Sequence, residues 1–600
     1  MPSIGSTMKR ACARQNRLGA LWAVFAVCFF MATGAGGEVR DARMDRRCLS
    51  CHARIESMGP DHDFECGVCH LQPAHRSLSW LDGHRKVVRN PSDPRWVRTF
   101  CMPCHEQEIG IVEKGLHGTV AGIINQTRYL WGAQEKASPP RYGLSGPLAP
   151  LPEPDPMAYP ENPAQLVDDF LRRRCLRCHI HTEGSTGDGL YRASGCAACH
   201  VPYEDDGRYR GSDTAVDREK AGYPARHVFR SPIPNDQCLR CHNQNHVGAD
   251  YMGLFQHDFS ERYRSPVGAS GTSKRIYGLD YHHLAVDIHA ERGLWCVDCH
   301  RKADVMGDGK VYGYQMAVPK TSCSGCHGGF RGARPDPSIP GVVAGGSEFR
   351  FRTRGAKRLH RLPLFDADVV AHGVMEHERV RCSACHAQWS FQDYGLSVIR
   401  EDRLDPLKWL GLEAQGDPVV EKVLLEVSRM RQPLQPATRD RVSWTLKKGA
   451  WSLGWRYRRW ELMPLGVDHE GRFSIVRPLY QFIVSYVDEA GYAALDGIIP
   501  IRGDFTSKGW AFSPYVPHTV SPAGRSCMSC HLSRSAAGLG WMDGTTPDLD
   551  LTRPAPPAVP GMRLLSGRER QRLLNPSKRW RKLRFRALRN TRDVPMGDAG

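Results

Sequence analysis

The chain has 600 residues, with 82 Lys and Arg against 64 Asp and Glu for a net charge of +18, and only 41% of it is hydrophobic. No run after residue 37 approaches the 18 apolar residues of a membrane span, which excludes a multi-span membrane protein. The 59 glycines and 42 prolines predict long irregular stretches, and the length alone would suggest several domains.

The first segment, residues 1–37, reads as a signal peptide. "MKRACARQNRLGALWAVFAVCFFMATGAGG" begins at Met8 with Lys9, Arg10, Arg14 and Arg17, carries no charge from Leu18 to Gly37, and ends in small residues. Its strongly apolar part is short for a span of about 20 residues. Val27 is too bulky for the residue before a lipidated Cys28, so cleavage and export to the periplasm or cell surface are expected.

Residues 38–388 carry nine copies of one pattern, C-x-x-C-H. They are Cys48, Cys51 and His52; Cys66, Cys69 and His70; Cys101, Cys104 and His105; Cys175, Cys178 and His179; Cys196, Cys199 and His200; Cys238, Cys241 and His242; Cys296, Cys299 and His300; Cys323, Cys326 and His327; Cys382, Cys385 and His386. A tenth, Cys527, Cys530 and His531, stands alone in residues 517–550. The ten motifs use twenty of the 22 cysteines, and the other two lie in the signal segment.

One C-x-x-C could bind zinc, form a redox disulfide or fasten a haem. Zinc ribbons have no reason to place histidine after every pair, and a thioredoxin-like site would occur once or twice. A c-type haem requires the spacing: two thiols add to two vinyl groups on one porphyrin edge, and the next residue then lies under the iron as its proximal ligand. Ten covalently attached c-type haems are therefore expected, and attachment outside the cytoplasm agrees with export.

Between the third and fourth motifs, "ASPPRYGLSGPLAPLPEPDPMAYPENPAQ" predicts a proline-rich surface connection, and "VDDFLRRR" a short helix delivering Cys175. Little regular sheet is expected before residue 390. Residues 389–516 hold no motif and read as a small α+β module: "DPVVEKVLLEVSRMRQ" from Asp417 has helical periodicity, and "PLYQFIVSYVDEAGY" from Pro478 a strand with a turn at Asp488 to Gly491. Trp444, Trp451, Trp455 and Trp460 suggest a tryptophan-rich strand core. In the basic tail, residues 551–600, twelve Lys and Arg face the single acid Glu569 between Arg563 and Arg592. There "NPSKRWRKLRFRALRN" reads either as a solvated basic tail or as a helix, capped by Asn575 and Pro576, for an acidic partner or anionic membrane surface. Export makes nucleic acid an unexpected partner.

Sixteen histidines remain for the opposite face of the irons. His62, His289, His377 and His518 precede a motif closely. His75, His84, His117, His227, His257, His282, His283, His360 and His372 are further distal candidates, and His181, His246 and His469 weaker ones. Iron with two axial histidines has no place for a substrate and transfers electrons, whereas catalysis requires an open or weakly held position.

"CLRCHNQNHVGADYMGLFQHD" from Cys238, "DIHAERGLWCVDCHRKADVMGDG" from Asp287 and "CSGCHG" from Cys323 resemble the octahaem tetrathionate reductase and hydroxylamine oxidoreductase superfamily. "EHERVRCSACHAQW" and "PHTVSPAGRSCMSC" resemble larger multihaem cytochromes of extracellular electron transfer. The resemblance implies a mainly α, haem-packed fold with extensive irregular structure and stacked porphyrins. This chain carries ten motifs rather than eight, and no C-x-x-C-K. The expected function is a decahaem carrier linking a quinol-linked membrane complex to other cytochromes. The alternative is a multihaem oxidoreductase acting on a small nitrogen or sulfur compound at one open haem.

Overall fold

The computed structural model describes residues 47–76, 80–245, 248–257, 276–318, 321–345, 348–409, 416–479, 481–505, 508–531, 533–538 and 561–575. The signal segment and the tail beyond Asn575 lie outside the described residues. Among those residues no helix is long and apolar enough to cross a membrane.

The expectation of a mainly α, haem-packed fold is overturned. Helix makes up 29% of the chain and strand 20%, in several sheets. Most helices are single turns, because each motif folds only its own four or five residues, as at Cys66–His70, Cys323–His327 and Cys382–His386. Glycine and proline interrupt the chain before any longer amphipathic face can build.

Before residue 390 the strands are short, two to five residues each. Leu254–His257 pairs antiparallel with Asp280–His283, and Val342–Gly345, Glu348–Arg352 and Leu359–Arg361 form a three-stranded meander. The sequence E-F-R-F-R of the middle strand explains itself: Phe349 and Phe351 alternate inward while the charged residues face out.

The larger helix α1, Pro163–Arg173, starts with Pro in its first turn, where the missing N–H costs nothing. Leu166, Val167, Phe170 and Leu171 form its buried stripe. The helix α2, Pro418–Ser428, lies where its periodicity predicts, capped by the Asp417 carboxylate accepting from the Val419 and Val420 N–H groups.

Two four-stranded sheets dominate the region after residue 390. In the first, β1 (Gln392–Glu401) lies between β2 (Ala450–Arg459) and β5 (Phe482–Val487), with β6 (Ala493–Ile498) outside β5. β1 runs antiparallel to β2, with Trp455 opposite Leu396, and parallel to β5, with Phe482 opposite Leu396. In the second sheet, β3 (Leu465–Val467) and β4 (Phe473–Leu479) lie between β7 (Ala511–Tyr515) and β8 (Arg563–Leu564).

These strands share cores with distant segments. Trp131, Phe170 and Leu176 pack with Val398, Trp451, Phe482 and Val484 in one cluster. Of the four tryptophans, Trp451 is the one fully buried in that strand core. The last strand β8 and the helix α3, Gly567–Leu574, close the chain onto the second sheet, where Met562 and Leu565 are buried.

Candidate functional site

The "RRR" run that ends α1 is buried rather than solvated. Arg172 pairs with Asp440 at 2.7 Å, Arg173 with Asp169 at 3.1 Å and Arg174 with Asp417 at 2.7 Å. Arg172 and Arg174 thus meet carboxylates from distant parts of the chain and Arg173 one from the preceding turn of α1, and together they fix the chain entering Cys175. The Asp417 that caps α2 therefore also anchors the fourth motif.

The motifs line one large cavity of about 4060 Å³, reached by Cys175, Cys178 and His179 and by cysteines or histidines of every later motif through Cys530 and His531. None of the twenty motif cysteines is paired in a disulfide. Burial pushes the Cys175 thiol up to about 12 and the Cys199 and Cys385 thiols to about 11.

Neighbouring motifs touch through their sulfurs. Cys178 lies beside Cys241, Cys238 beside Cys296, and Cys323 beside Cys382. Cys101 lies near Cys69 and Cys196, Cys299 near Cys326, and Cys385 near Cys527 and Cys530. Motifs two, three, five, six, seven, eight, nine and ten follow one another in space, and motif four joins at motif six.

Histidines from distant parts of the chain face the motif histidines in a repeated arrangement. Ring centroids are separated by 5.9 Å for His62 and His105, 6.1 Å for His227 and His70, and 6.0 Å for His117 and His242. The separation is 6.1 Å for His289 and His327, 6.1 Å for His518 and His300, 6.3 Å for His372 and His386, and 6.1 Å for His377 and His531. An imidazole nitrogen binds a first-row metal at about 2.0 Å. Two such bonds plus two ring radii of about 1.1 Å give centroids about 6 Å apart on opposite faces of one ion. The observed spacing fits two imidazoles that would hold one ion between them.

The second ring nitrogen is also accounted for. Nδ1 lies at hydrogen-bond distance from a carbonyl in His70 (Val88), His227 (Glu56), His117 (Val305), His200 (Arg230) and His327 (Pro363). The same holds for His372 (Asp366), His377 (Ala371), His386 (Ser521) and His531 (Leu573). A carbonyl only accepts, so Nδ1 carries the proton and Nε2 the lone pair, the form that ligates metal. Among the described residues no three His, Cys, Asp or Glu side chains converge as a metal cage. An axial pair needs only two side chains, because a porphyrin supplies four equatorial nitrogens of its own. The unpaired C-x-x-C-H cysteines, the facing imidazoles and the cavity fit covalently attached haem.

The other candidates are placed differently. His282 is buried against Trp460 at 5.0 Å and Phe255 at 6.3 Å, and His283 is exposed on the same strand. His75 lies in a short 3-10 turn with a buried Nδ1, and His84 is exposed on the helix Trp80–Arg85. His360 and His469 line the cavity. The His257 side chain and all of His246 lie outside the described part of the structure.

His179 departs from the pattern. It is 5% exposed, its Nε2 is buried without a hydrogen-bond partner, and its Nδ1 accepts from the His181 N–H at 3.2 Å. The His181 ring lies 5.7 Å from the His179 ring, centroid to centroid, with its own Nε2 toward the Gly118 carbonyl at 3.2 Å.

The carboxylates behind several imidazoles were not signalled by spacing. Asp213 reaches His52 at 2.6 Å, Asp287 reaches His289 at 2.8 Å, and Asp304 hydrogen-bonds His300. Only the last two share a local stretch, at i−2 and i+4, that a sequence could have offered.

Comparison with protein-family models, curated proteins and solved structures finds no match.

Proposed function

We propose that this chain is an exported c-type cytochrome that carries ten covalent haems and transfers electrons between redox partners. The observation that carries the reading is the set of seven motif histidines, each facing a second imidazole at about 6 Å. Haem bound at such a pair supplies one-electron Fe(III)/Fe(II) exchange. The chain's own contribution is to hold both ligands in place, so that coordination is unchanged on reduction. Motifs joined through their sulfurs bring successive sites into contact. Partners of this chemistry are a quinol-linked membrane complex and other cytochromes, and the basic tail supports an acidic protein or an anionic membrane surface. The test is a reductive titration of the purified mature protein: low-spin c-type spectra and ten electrons per chain are expected, and a protein without haem absorbance ends the reading.

The geometry of His179 favours a second reading for one motif. Among the described residues His179 faces no distant histidine of the kind seen at the seven pairs and has only its near neighbour His181 beside it. That arrangement suits a site with an exchangeable sixth position, as an oxidoreductase for a small nitrogen or sulfur compound would need. Carbon monoxide binding to one reduced haem per chain supports it, and ten haems inert to carbon monoxide exclude it.

A further inference from the structure

We propose that carboxylates behind the axial imidazoles hold motifs seven and eight at lower reduction potential than motifs nine and ten, so that the C-terminal arm is a rising series ending at His531. The inference rests on the haem reading above.

The arm is continuous: Cys299 lies near Cys326, Cys323 beside Cys382, and Cys385 near Cys527 and Cys530. Its axial imidazoles have unequal support. At motif seven His300 hydrogen-bonds the Asp304 carboxylate, and His518 has the fully buried Asp250 carboxylate 3.6 Å from its Nδ1, a charge contact longer than a hydrogen bond. At motif eight one ligand, His289, is held by Asp287 at 2.8 Å, while His327 meets the Pro363 carbonyl at 2.7 Å. At motifs nine and ten all four imidazoles, His372, His386, His377 and His531, meet carbonyls at 2.7–3.0 Å. The number of carboxylate-backed ligands falls from two to one to none along the arm.

A carboxylate draws the Nδ1 proton more strongly than a carbonyl does and makes the ligating nitrogen more basic. A more basic ligand favours ferric over ferrous iron. The fixed negative charge acts in the same direction, and strongly, because Asp250, Asp287 and Asp304 are all buried in a medium of low dielectric. Asp298 lies close to Cys299 and adds to the effect. The cations do not reverse it, since they stand at both ends: Arg301 beside Cys299 and Cys326, Arg472 beside Cys382, and Arg525 beside Cys385. Electrons on this arm therefore run downhill toward motif ten, where α3 presents the exposed Arg568 and Arg572 and offers the Leu573 carbonyl to His531. Asp304, Asp250 and Asp287 are positioning residues that act through the imidazoles.

The test is a spectroelectrochemical titration of the haem-loaded full-length protein beside Asp304→Asn, Asp304→Glu and Asp287→Asn. The amide at 304 is isosteric and removes the charge, while Glu retains it. One midpoint among the lowest of the wild type should shift upward in Asp304→Asn and return toward its original value in Asp304→Glu. Asp287→Asn should shift a different low midpoint upward, which reads motif eight even if one variant folds poorly. The series is overturned if both Asn variants hold ten haems and move no midpoint, or move one from the upper half. A wild-type protein without covalent haem would instead remove the underlying reading.

Discussion

The imidazoles of His62 and His105 lie 5.9 Å apart with their planes 16° from parallel, although 43 residues of chain separate them. Burial favours the neutral form of His62, and the nearby His105 adds to that effect. A neutral imidazole is the form that ligates metal. Replacing His62 with alanine removes one ligand while Cys101 and Cys104 keep their haem attached. One haem should become high spin, visible by electron paramagnetic resonance, with the covalent haem count unchanged.

The same argument applies to His289→Ala and His518→Ala, which face His327 and His300 at 6.1 Å. Each should convert one haem toward high spin, and the double variant two. Unaltered spectra and potentials in both would show that these imidazoles bind nothing.

The Arg174–Asp417 pair is buried on both sides, with side-chain exposures of 3% and 2%. Removing one partner leaves an unpaired buried charge, which costs about 3–5 kcal/mol. Asp417→Ala should lower Tm by several degrees and also loosen α2, since the carboxylate caps that helix. Denaturation followed by circular dichroism measures the loss.

Glu401, on β1, is pushed up to about 7 by burial, with Lys408 opposing the shift. The native carboxyl holds its proton more tightly than the unfolded chain does. Stability is therefore full below the ordinary value of 4.5, falls between 4.5 and about 7, and stays lower above that. Glu401→Gln should be more stable than the wild type by on the order of 2–3 kcal/mol at pH 8 and indistinguishable at pH 4.

The last prediction concerns where the chain can be cut. Residues 561–575 are structural: Met562 and Leu565 are buried, β8 completes a sheet, and the Leu573 carbonyl meets His531 Nδ1 at 3.0 Å. Truncation after Pro560 should perturb the tenth motif, whereas truncation after Asn575 should leave all haem spectra intact and abolish salt-sensitive binding to anionic vesicles. Equal binding by the shorter protein at low salt would remove the docking role of the tail.

The motifs could be read from the sequence because their chemistry is local: two sulfurs and an imidazole must lie within five residues. The helix α2 could be read too, since Asp417 and its periodic apolar residues are contiguous. The mainly α expectation failed because the motif turns end after one turn, and because strands such as β1 and β5 become a sheet only through pairing across more than 80 residues. The burial of the α1 arginines could not be read from the sequence. Their partners Asp417 and Asp440 are about 250 residues away, so no local pattern reveals the burial. The facing histidines have the same character: His117 and His242 meet through the fold alone.

Intact-mass measurement of the denatured, mature protein tests the central claim most directly, because thioether bonds survive unfolding and haem held by axial ligands alone does not. The account predicts ten covalent haem additions on every chain. Eight or fewer additions on the fully matured protein, or a mass that fits the bare polypeptide with free thiols, would contradict it.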